Sequence, residues 1–382
     1  MTLRRTLITA GIIGLLGFVV SLAAPVLYRY AFAPTQSVLP VAPAPEPAEI
    51  TILASNLAIP WDVARLPDGA YLVTERPGTL ARIDPDASVT RLEVPKVSAV
   101  GEGGLMGMVL HPDFTENSYL YLYRTILAGN VRTNEIVRFV YHSDHRLTDE
   151  TVIVGNIPGA RFHDGGRIEF GPDGMLYITT GDASAPALAQ DRDSLAGKLL
   201  RVTDTGAVPE DNPFGTMVYS YGHRNSQGIA WDAEGRLWST EHGRSGVLSG
   251  LDELNLIVPG GNYGWPDIEG DATRPGMIAP VVHSGPDETW APASLTAVGN
   301  TLYFAGLRGQ RLYRADVLSD DTVTITTYFV EEYGRLRAAR IIGDTLYLTT
   351  SNTDGRGRAR QDDDLLIAIP LSVLESETSA QN

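Results

Sequence analysis

The stretch "EFGPDGMLYITTGD", residues 169–182, decides the fold because variants of it recur along the whole chain. Each copy is an apolar stretch, a tight polar turn and an alternating apolar strand. The other copies are "ARLPDGAYLVTE" (64–75), "VLHPDFTENSYLYLY" (109–123), "AWDAEGRLWSTEHG" (230–243), "TAVGNTLYFAG" (296–306) and "RIIGDTLYLTT" (340–350). The turn residues tolerate positive φ or preset a turn, and the strands are rich in β-formers. The copies therefore predict six β-hairpins.

Six hairpins spaced several tens of residues apart predict an all-β protein, a six-bladed β-propeller with four-stranded blades. A β-sandwich would not repeat its turn six times, and a parallel solenoid would show a shorter and stricter period. The last blade is predicted to close by pairing a strand near residues 50–55 with "DDLLIAIPL" (363–371). Propellers carry their sites on loops at one end of the central channel.

Four segments are predicted. Residues 1–33 are a signal peptide or a membrane anchor, because uncharged residues 7–27 follow the basic start "MTLRR" and would span roughly 31 Å as a helix. The length favours the anchor, whereas "SLA" (21–23) is typical of a cleavage site. Residues 34–48 are a Pro/Ala-rich linker, 49–374 the propeller and 375–382 a polar tail. The N-terminal charge places the propeller in the periplasm or another extracytoplasmic space, with membrane contact only through the first segment.

Composition excludes some classes of function. The formal net charge of −16 argues against a nucleic-acid partner, whose phosphates need a basic surface. The absence of cysteine excludes disulfides, thiolate metal sites and cysteine nucleophiles. No Walker loop, HExxH, GxSxG or helix-opening GxGxxG motif is present.

The loops between the repeats contain the candidate site residues. His163 is a candidate general base, because the histidine side chain in general exchanges its proton near neutral pH, although a single histidine more often completes a loop. Five residues are candidates for binding an anionic ligand, since arginine binds carboxylates in a bidentate manner, with surface solvation as the alternative. They are Arg224, Asn225, Arg308, Arg335 and Arg337.

Two further groups of loop residues have open interpretations. Asp252 and Glu253, with glycine-rich backbone at Gly243, have the oxygen ligands that Ca²⁺ prefers, but they also fit a solvated acidic loop. Trp265 and Trp290 fit either an apolar wall of the site or the core.

The loop sequences resemble the glucose/sorbosone dehydrogenase family, whose members use pyrroloquinoline quinone (PQQ), over about residues 50–370. The most specific segments are "GEGGLMGMVLHPDF", "HDGGRIEFGPDG", "DSLAGKLLRV", "YSYGHRNSQGIAWD" and "DELNLIVPGGNYGWP". The resemblance implies a six-bladed propeller with PQQ and Ca²⁺ at its mouth. It also implies that the site oxidises the C1 hydroxyl of an aldose to a lactone, with hydride transfer to the quinone.

The resemblance assigns roles residue by residue. His163 would be the general base on the anomeric hydroxyl, Arg224 would polarise the quinone carbonyl, and Asn225 would hold the same end of PQQ. Basic residues matching Arg308, Arg335 and Arg337 would bind the PQQ carboxylates. Backbone oxygens of Gly243 and Arg244 would coordinate Ca²⁺, with Asp252 and Glu253 as less secure ligands.

Two positions depart from the family pattern. Glu102 stands where glutamine is usual, so its carboxylate could pair with the base or alter sugar recognition. Arg244 replaces a common proline, although a backbone oxygen can still act as a ligand there. We assign Glu102 and Trp290 to the substrate side of the site.

The sequence thus predicts a PQQ- and Ca²⁺-dependent aldose dehydrogenase with an unknown electron acceptor. One alternative is a Ca²⁺-dependent propeller hydrolase of the lactonase type, which needs several carboxylate or asparagine side chains converging on the metal. The other is a non-enzymatic propeller that binds a glycan or a protein, and it predicts no activity with PQQ and Ca²⁺.

Overall fold

The computed structural model describes residues 49–246 and 249–375. The predicted signal peptide or anchor, the linker and all of the polar tail after Glu375 lie outside these residues. Within them, no helix is both long and apolar enough to cross a bilayer. The segment boundaries at the two ends of the chain therefore stay predictions.

The described residues form six four-stranded antiparallel sheets, which confirms the predicted six-bladed propeller. Blade one contains β2 (Pro60–Arg65), β3 (Tyr71–Glu75), β4 (Thr79–Ile83) and β5 (Val89–Glu93). Blade two contains β6 (Leu105–Leu110), β7 (Tyr119–Ala128), β8 (Val131–Tyr141) and β9 (Leu147–Pro158). Blade three contains β10 (Ile168–Phe170), β11 (Leu176–Thr179), β12 (Lys198–Val202) and β13 (Val218–Tyr221). Blade four contains β14 (Ser226–Trp231), β15 (Leu237–Glu241), β16 (Glu253–Ile257) and β17 (Val282–His283). Blade five contains β18 (Pro292–Val298), β19 (Thr301–Gly306), β20 (Arg311–Val317) and β21 (Val323–Tyr328). Blade six contains β22 (Leu336–Ile342), β23 (Thr345–Thr350) and β24 (Leu366–Pro370), together with β1 (Thr51–Ala54) from the other end of the chain. Helical structure in the described residues is limited to short pieces, such as α1 (Phe114–Asn117), a 3₁₀ turn (Pro186–Ala189) and residues 371–375.

Each repeated sequence phrase forms the hairpin between the first and second strands of one blade. In blade three, for example, Phe170 pairs with Leu176 across the "GPDG" turn. β1 pairs antiparallel with β24, with Thr51 opposite Ala368, so the ring closes as predicted from the sequence. The first strand of every blade contacts the first strand of the next, and the six together surround the central channel.

The core lies between neighbouring blades rather than at the centre of the ring. Between blades two and three, buried Tyr123, Ile168 and Leu200 belong to one apolar cluster, which Trp61 of blade one joins. Between blades four and five, Trp238, Phe304 and Tyr313 are buried in another. Because these apolar side chains are used between the sheets, the channel and its mouth are left to polar side chains.

The hairpin turns and the site loops lie at opposite ends of the channel. Each first strand runs away from the mouth and each second strand returns to it. The loops that precede the first strand and follow the second strand therefore meet at one end. Every candidate site residue outside the strands lies on such a loop except Trp265, which lies between β16 and β17.

Candidate active site

A cavity of about 410 Å³ opens at the mouth of the channel, within the size range of small-molecule sites. Loops from blades two to six contribute its walls. The side chains or backbone that line it include Glu102, Phe162, His163, Arg224, His242, Gly243, Arg244, Asp252, Leu307, Arg308, Arg335 and Arg356. One histidine, several guanidinium groups and a glycine-containing loop thus face a single space.

His163 is held at the cavity by a buried carboxylate. Its Nδ1 lies 2.8 Å from Oδ1 of Asp182, which is fully buried in the loop just after β11. Asp182 also accepts hydrogen bonds from Ser184 N at 2.7 Å and from Trp265 Nε1 at 2.9 Å. Three donors fix this carboxylate, so we assign the proton of the neutral imidazole to Nδ1 and the lone pair to Nε2.

The loop that presents His163 depends on a close backbone approach at Gly165. Gly165 has φ of 67°, and a Cβ built there would lie 2.5 Å from the carbonyl oxygen of Thr179. Its N–H donates to Asn225 Oδ1 at 3.0 Å. His163 itself has φ of 63°, a left-handed conformation that costs a non-glycine residue about 1–3 kcal/mol. The position of the imidazole is therefore imposed by its surroundings.

Glu102 contacts the backbone of His163 rather than its imidazole. Oε2 accepts the N–H of His163 at 3.0 Å, and Oε1 lies 2.8 Å from an Arg356 nitrogen. Burial opposes ionisation, but the His163 N–H and the Arg356 guanidinium lower the pKa of Glu102 to about 2. The carboxylate is ionised and paired with Arg356.

Arg224 projects into the cavity from the loop before β14. Its Nη2 donates to Ser245 Oγ at 2.8 Å, its guanidinium lies 5.3 Å from the centre of the Trp265 ring, and its buried Nε has no partner among the described residues. Burial lowers its pKa, an effect opposed by the charges of Asp182 and Glu241. Such a guanidinium has an unused donor for an anionic or carbonyl oxygen.

Asn225 is fully buried behind the cavity and does not line it. Its Oδ1 supports Gly165, while its buried Nδ2 has no partner among the described residues. Its side chain therefore supports the His163 loop directly, and the cofactor contact implied by the sequence resemblance stays a prediction.

The three other predicted arginines occupy different depths. Arg308 lies exposed at the rim, with no hydrogen bond or ion pair among the described residues. Arg335 lines the cavity and is paired with Asp354 at 2.8 Å. Arg337 lies below them in the channel, donates to Gln227 Oε1 at 2.8 Å and does not line the cavity. Burial lowers the pKa of Arg337 to about 9.

Asp252 and Glu253, which the sequence predicts as less secure calcium ligands, make other interactions in the structure. Asp252 accepts the N–H groups of Gly243 at 2.8 Å, Trp290 at 2.7 Å and Ala291 at 3.0 Å, so it connects the loops. Burial raises the pKa of Glu253 to about 8, and the charge of Glu241, its cross-strand partner, adds to this. These carboxylates do not fit a metal site. No group of three or more His, Asp or Glu side chains in the described ranges is placed to hold a metal ion. Gly243 and Arg244 do line the cavity.

Trp290 packs in the core and not against the cavity. Its ring lies 5.5 Å from the rings of Phe304 and Tyr313, and only 5% of the residue is exposed. The sequence predicts Trp290 on the substrate side of the site, but the structure buries its indole in the apolar cluster between blades four and five.

Sequence reasoning missed Asp182, Arg356 and His242, and gave Trp265 only a general role. Asp182 ends a repeated phrase, and a carboxylate just after a strand at the mouth was a usable signal. His242 has a buried Nε2 without a partner among the described residues, and burial lowers its pKa to about 3, so it is neutral.

Comparison with known proteins identifies the family. The family model described as glucose/sorbosone dehydrogenase matches residues 57–366, which is most of the chain. The chain belongs to this family. The membership confirms both the resemblance seen in the loops and the prediction of an oxidoreductase family.

Solved structures and a curated relative agree with this membership. A PQQ-bound aldose sugar dehydrogenase from Streptomyces coelicolor is 41% identical with a TM-score of 0.78, covering 84% of this chain and 97% of that one. A putative glucose dehydrogenase from Thermus thermophilus is 42% identical with a TM-score of 0.79, covering 84% and 99%. Quinoprotein glucose dehydrogenase B from Acinetobacter calcoaceticus is 33% identical over 254 residues, 57% of this chain. The match spans only about half, 52%, of that relative's own length.

Proposed function

We propose that this protein is a PQQ-dependent aldose sugar dehydrogenase that oxidises the C1 hydroxyl of its substrate to a lactone. The observation that carries the proposal is the joint placement of His163, oriented by Asp182, and Arg224, with its unused Nε, at one cavity. The names of the structural relatives from Streptomyces coelicolor and Thermus thermophilus support the same class of reaction.

The residues present fit a flat polycarboxylate such as PQQ. The cavity has the volume for a small molecule and a cationic lining of Arg224, Arg308 and Arg335. Arg224 would hold the quinone oxygens, and Arg308 and Arg335 would bind carboxylates, with Arg337 adding positive charge from below. When bound, PQQ supplies the two-electron acceptor for the hydride that leaves C1.

His163 performs the proton chemistry. Its Nδ1–H donates to Asp182, so Nε2 is available to remove the proton of the C1 hydroxyl. The imidazolium formed is stabilised by the Asp182 carboxylate, as in other base–carboxylate pairs. Loss of this proton and of the C1 hydride leaves the lactone carbonyl.

Calcium is the second proposed cofactor, and its ligands on this chain would be the backbone oxygens of Gly243 and Arg244. Both residues line the cavity, and carbonyl oxygens are suitable ligands for Ca²⁺. The aldose, the extracytoplasmic location and an external electron acceptor complete the proposal. They are supported by the class of relatives and by the N-terminal sequence.

Reconstitution tests the proposal. The purified full chain is incubated with PQQ and CaCl₂ and assayed with a panel of aldoses and an artificial dye, with a matched sample lacking PQQ. Dye reduction that requires both PQQ and an aldose is expected. Binding of PQQ without any turnover would favour the non-enzymatic alternative, and absence of both would refute the proposal.

A further inference from the structure

Arg356 extends over the mouth from the loop between β23 and β24 of blade six. One of its guanidinium nitrogens lies 2.8 Å from Oε1 of Glu102, and its Cζ is 5.6 Å from the centre of the Phe162 ring. Glu102 belongs to the loop before blade two and Phe162 to the loop before blade three. A single side chain thus contacts two loops from other blades.

Glu102 connects Arg356 to the backbone of His163, because each of its two carboxylate oxygens contacts one of these residues. Its second oxygen accepts the His163 N–H at 3.0 Å, at a residue whose φ is 63°. A left-handed non-glycine residue persists only where its surroundings hold it. The hydrogen bond to Glu102 is one such restraint, the Asp182 contact at the imidazole is another, and the His163 carbonyl oxygen accepts the N–H of Ala183 at 3.2 Å.

We propose that Arg356 is a positioning residue for the general base, acting through Glu102. The inference rests on the proposed role of His163. Arg356 fixes the carboxylate in the orientation that receives the His163 N–H. It also compensates the charge of Glu102 beside the loop that carries the imidazole.

The charges around this cluster make Arg356 the direct counter-ion of Glu102. The titratable and charged groups that face Glu102 and His163 are Arg76, Asp164, Asp182, Arg224, His242, Arg337 and Arg356. His242 is neutral, and Arg76 donates to Gly101 O. Arg356 alone among these groups has an ion-pair distance to Glu102 in the described residues.

Four variants of the full chain test the inference: Arg356→Ala, Arg356→Lys, Glu102→Gln and the Arg356→Ala/Glu102→Gln double variant. Arg358→Ala is the matched control, because Arg358 is exposed in the same loop and does not line the cavity. Three measurements are made: the pH profile of kcat/KM, PQQ affinity by fluorescence quenching of the apo chain, and protonation of the His163 ring by NMR of ¹⁵N-histidine-labelled apo protein. His163→Gln assigns the NMR signal.

Arg356→Ala leaves the Glu102 carboxylate, which accepts the His163 N–H, without its counter-ion, and the uncompensated negative charge favours the protonated ring. We expect the acid limb of the profile and the ring protonation to move to higher pH by roughly 1 unit, and kcat to fall by roughly tenfold. Arg356→Lys restores most of both. Glu102→Gln removes the charge, so its acid limb does not move to higher pH, and the double variant behaves like Glu102→Gln.

Three results would overturn the inference. They are an unchanged His163 protonation in Arg356→Ala, effects that add in the double variant, or a loss of PQQ affinity beyond about tenfold that would make Arg356 a cofactor contact. If the wild-type chain oxidises no aldose, the proposed function fails. The NMR comparison on apo protein still decides the link between Arg356, Glu102 and His163.

Discussion

Replacing Asp182 by asparagine is the sharpest perturbation of the proposed base. Its carboxylate receives three donors: His163 Nδ1 at 2.8 Å, Ser184 N at 2.7 Å and Trp265 Nε1 at 2.9 Å. Asparagine keeps one acceptor oxygen and introduces an NH₂ group. At least one buried donor must then face another donor.

The size of the effect follows from which donor loses its acceptor. If the NH₂ faces Nδ1, the ring takes the other tautomer, and Nε2 carries a proton and no longer acts as a base. The equivalent change in a serine protease triad lowers kcat by about 10⁴-fold. We expect a fall of roughly 10³- to 10⁴-fold here, which corresponds to about 4 to 5.5 kcal/mol in activation free energy.

The assay separates this loss from general damage. Steady-state kcat and KM are measured with the preferred aldose and saturating PQQ, together with PQQ affinity and the melting temperature. Asp182 does not line the cavity, so PQQ affinity should change by less than about threefold.

Asp232→Asn is the matched control for the loss of a buried carboxylate. Asp232 is also buried and accepts a tryptophan Nε1, from Trp238 at 2.7 Å, but it lies in the turn at the opposite end of the channel. It should lower stability without lowering kcat. An Asp182→Asn enzyme that binds PQQ and retains kcat within about tenfold of wild type would refute the assignment of the base.

Other predictions follow from the same site. Arg224→Lys should weaken PQQ binding by at least about tenfold in a quenching titration, because lysine cannot supply the planar fork of donors, and unchanged affinity would contradict the assigned contact. Chelation followed by metal addition should abolish and then restore dye reduction with Ca²⁺, and Asp252→Asn should not change the Ca²⁺ concentration required once its lower stability is compensated. The pKa of Glu253 rises from an ordinary value of 4.5 to about 8 in the folded chain. Between these two pH values the unfolded chain ionises Glu253 while the folded chain keeps its proton, so stability falls as pH rises. Glu253→Gln should therefore raise the melting temperature more at pH 8 than at pH 5, and equal changes would rule out this titration.

The fold was predictable because its signal is local and repeated. A hairpin such as Gly171–Leu176 is specified by its own turn residues, and six copies suffice to indicate the ring. The pairing of β1 with β24 was predictable as well, since a ring whose blades are alike needs one strand from the other end of the chain.

The contacts within the site were less predictable because they join distant loops. His163 and Asp182 lie close in sequence, yet Trp265 reaches the same carboxylate and Arg356 reaches Glu102 from 254 residues further along the chain. No periodicity or residue spacing in the sequence predicts a side-chain contact between such distant loops. The resemblance gave roles to the residues that face the cavity, but not their partners.

Residue type alone also misplaced some side chains. Trp290 follows a polar loop and was assigned to the substrate, but the apolar space between two blades buries it. Asp252 was assigned to a metal, but backbone N–H groups that need acceptors surround it. In both positions the side chain is fixed by its neighbours in the fold, Trp290 by apolar packing and Asp252 by hydrogen bonds to backbone N–H groups.

The β1–β24 pairing has a consequence for how the protein is made. β1 emerges from the ribosome with the first blade, but its partner strand is synthesised almost a full chain length later. During that interval blade six is incomplete, and both an orphan strand and an open sheet edge are exposed to other chains. Nascent copies should therefore depend on a chaperone, or on secretion before folding, until synthesis of Leu366–Pro370 lets the last blade form.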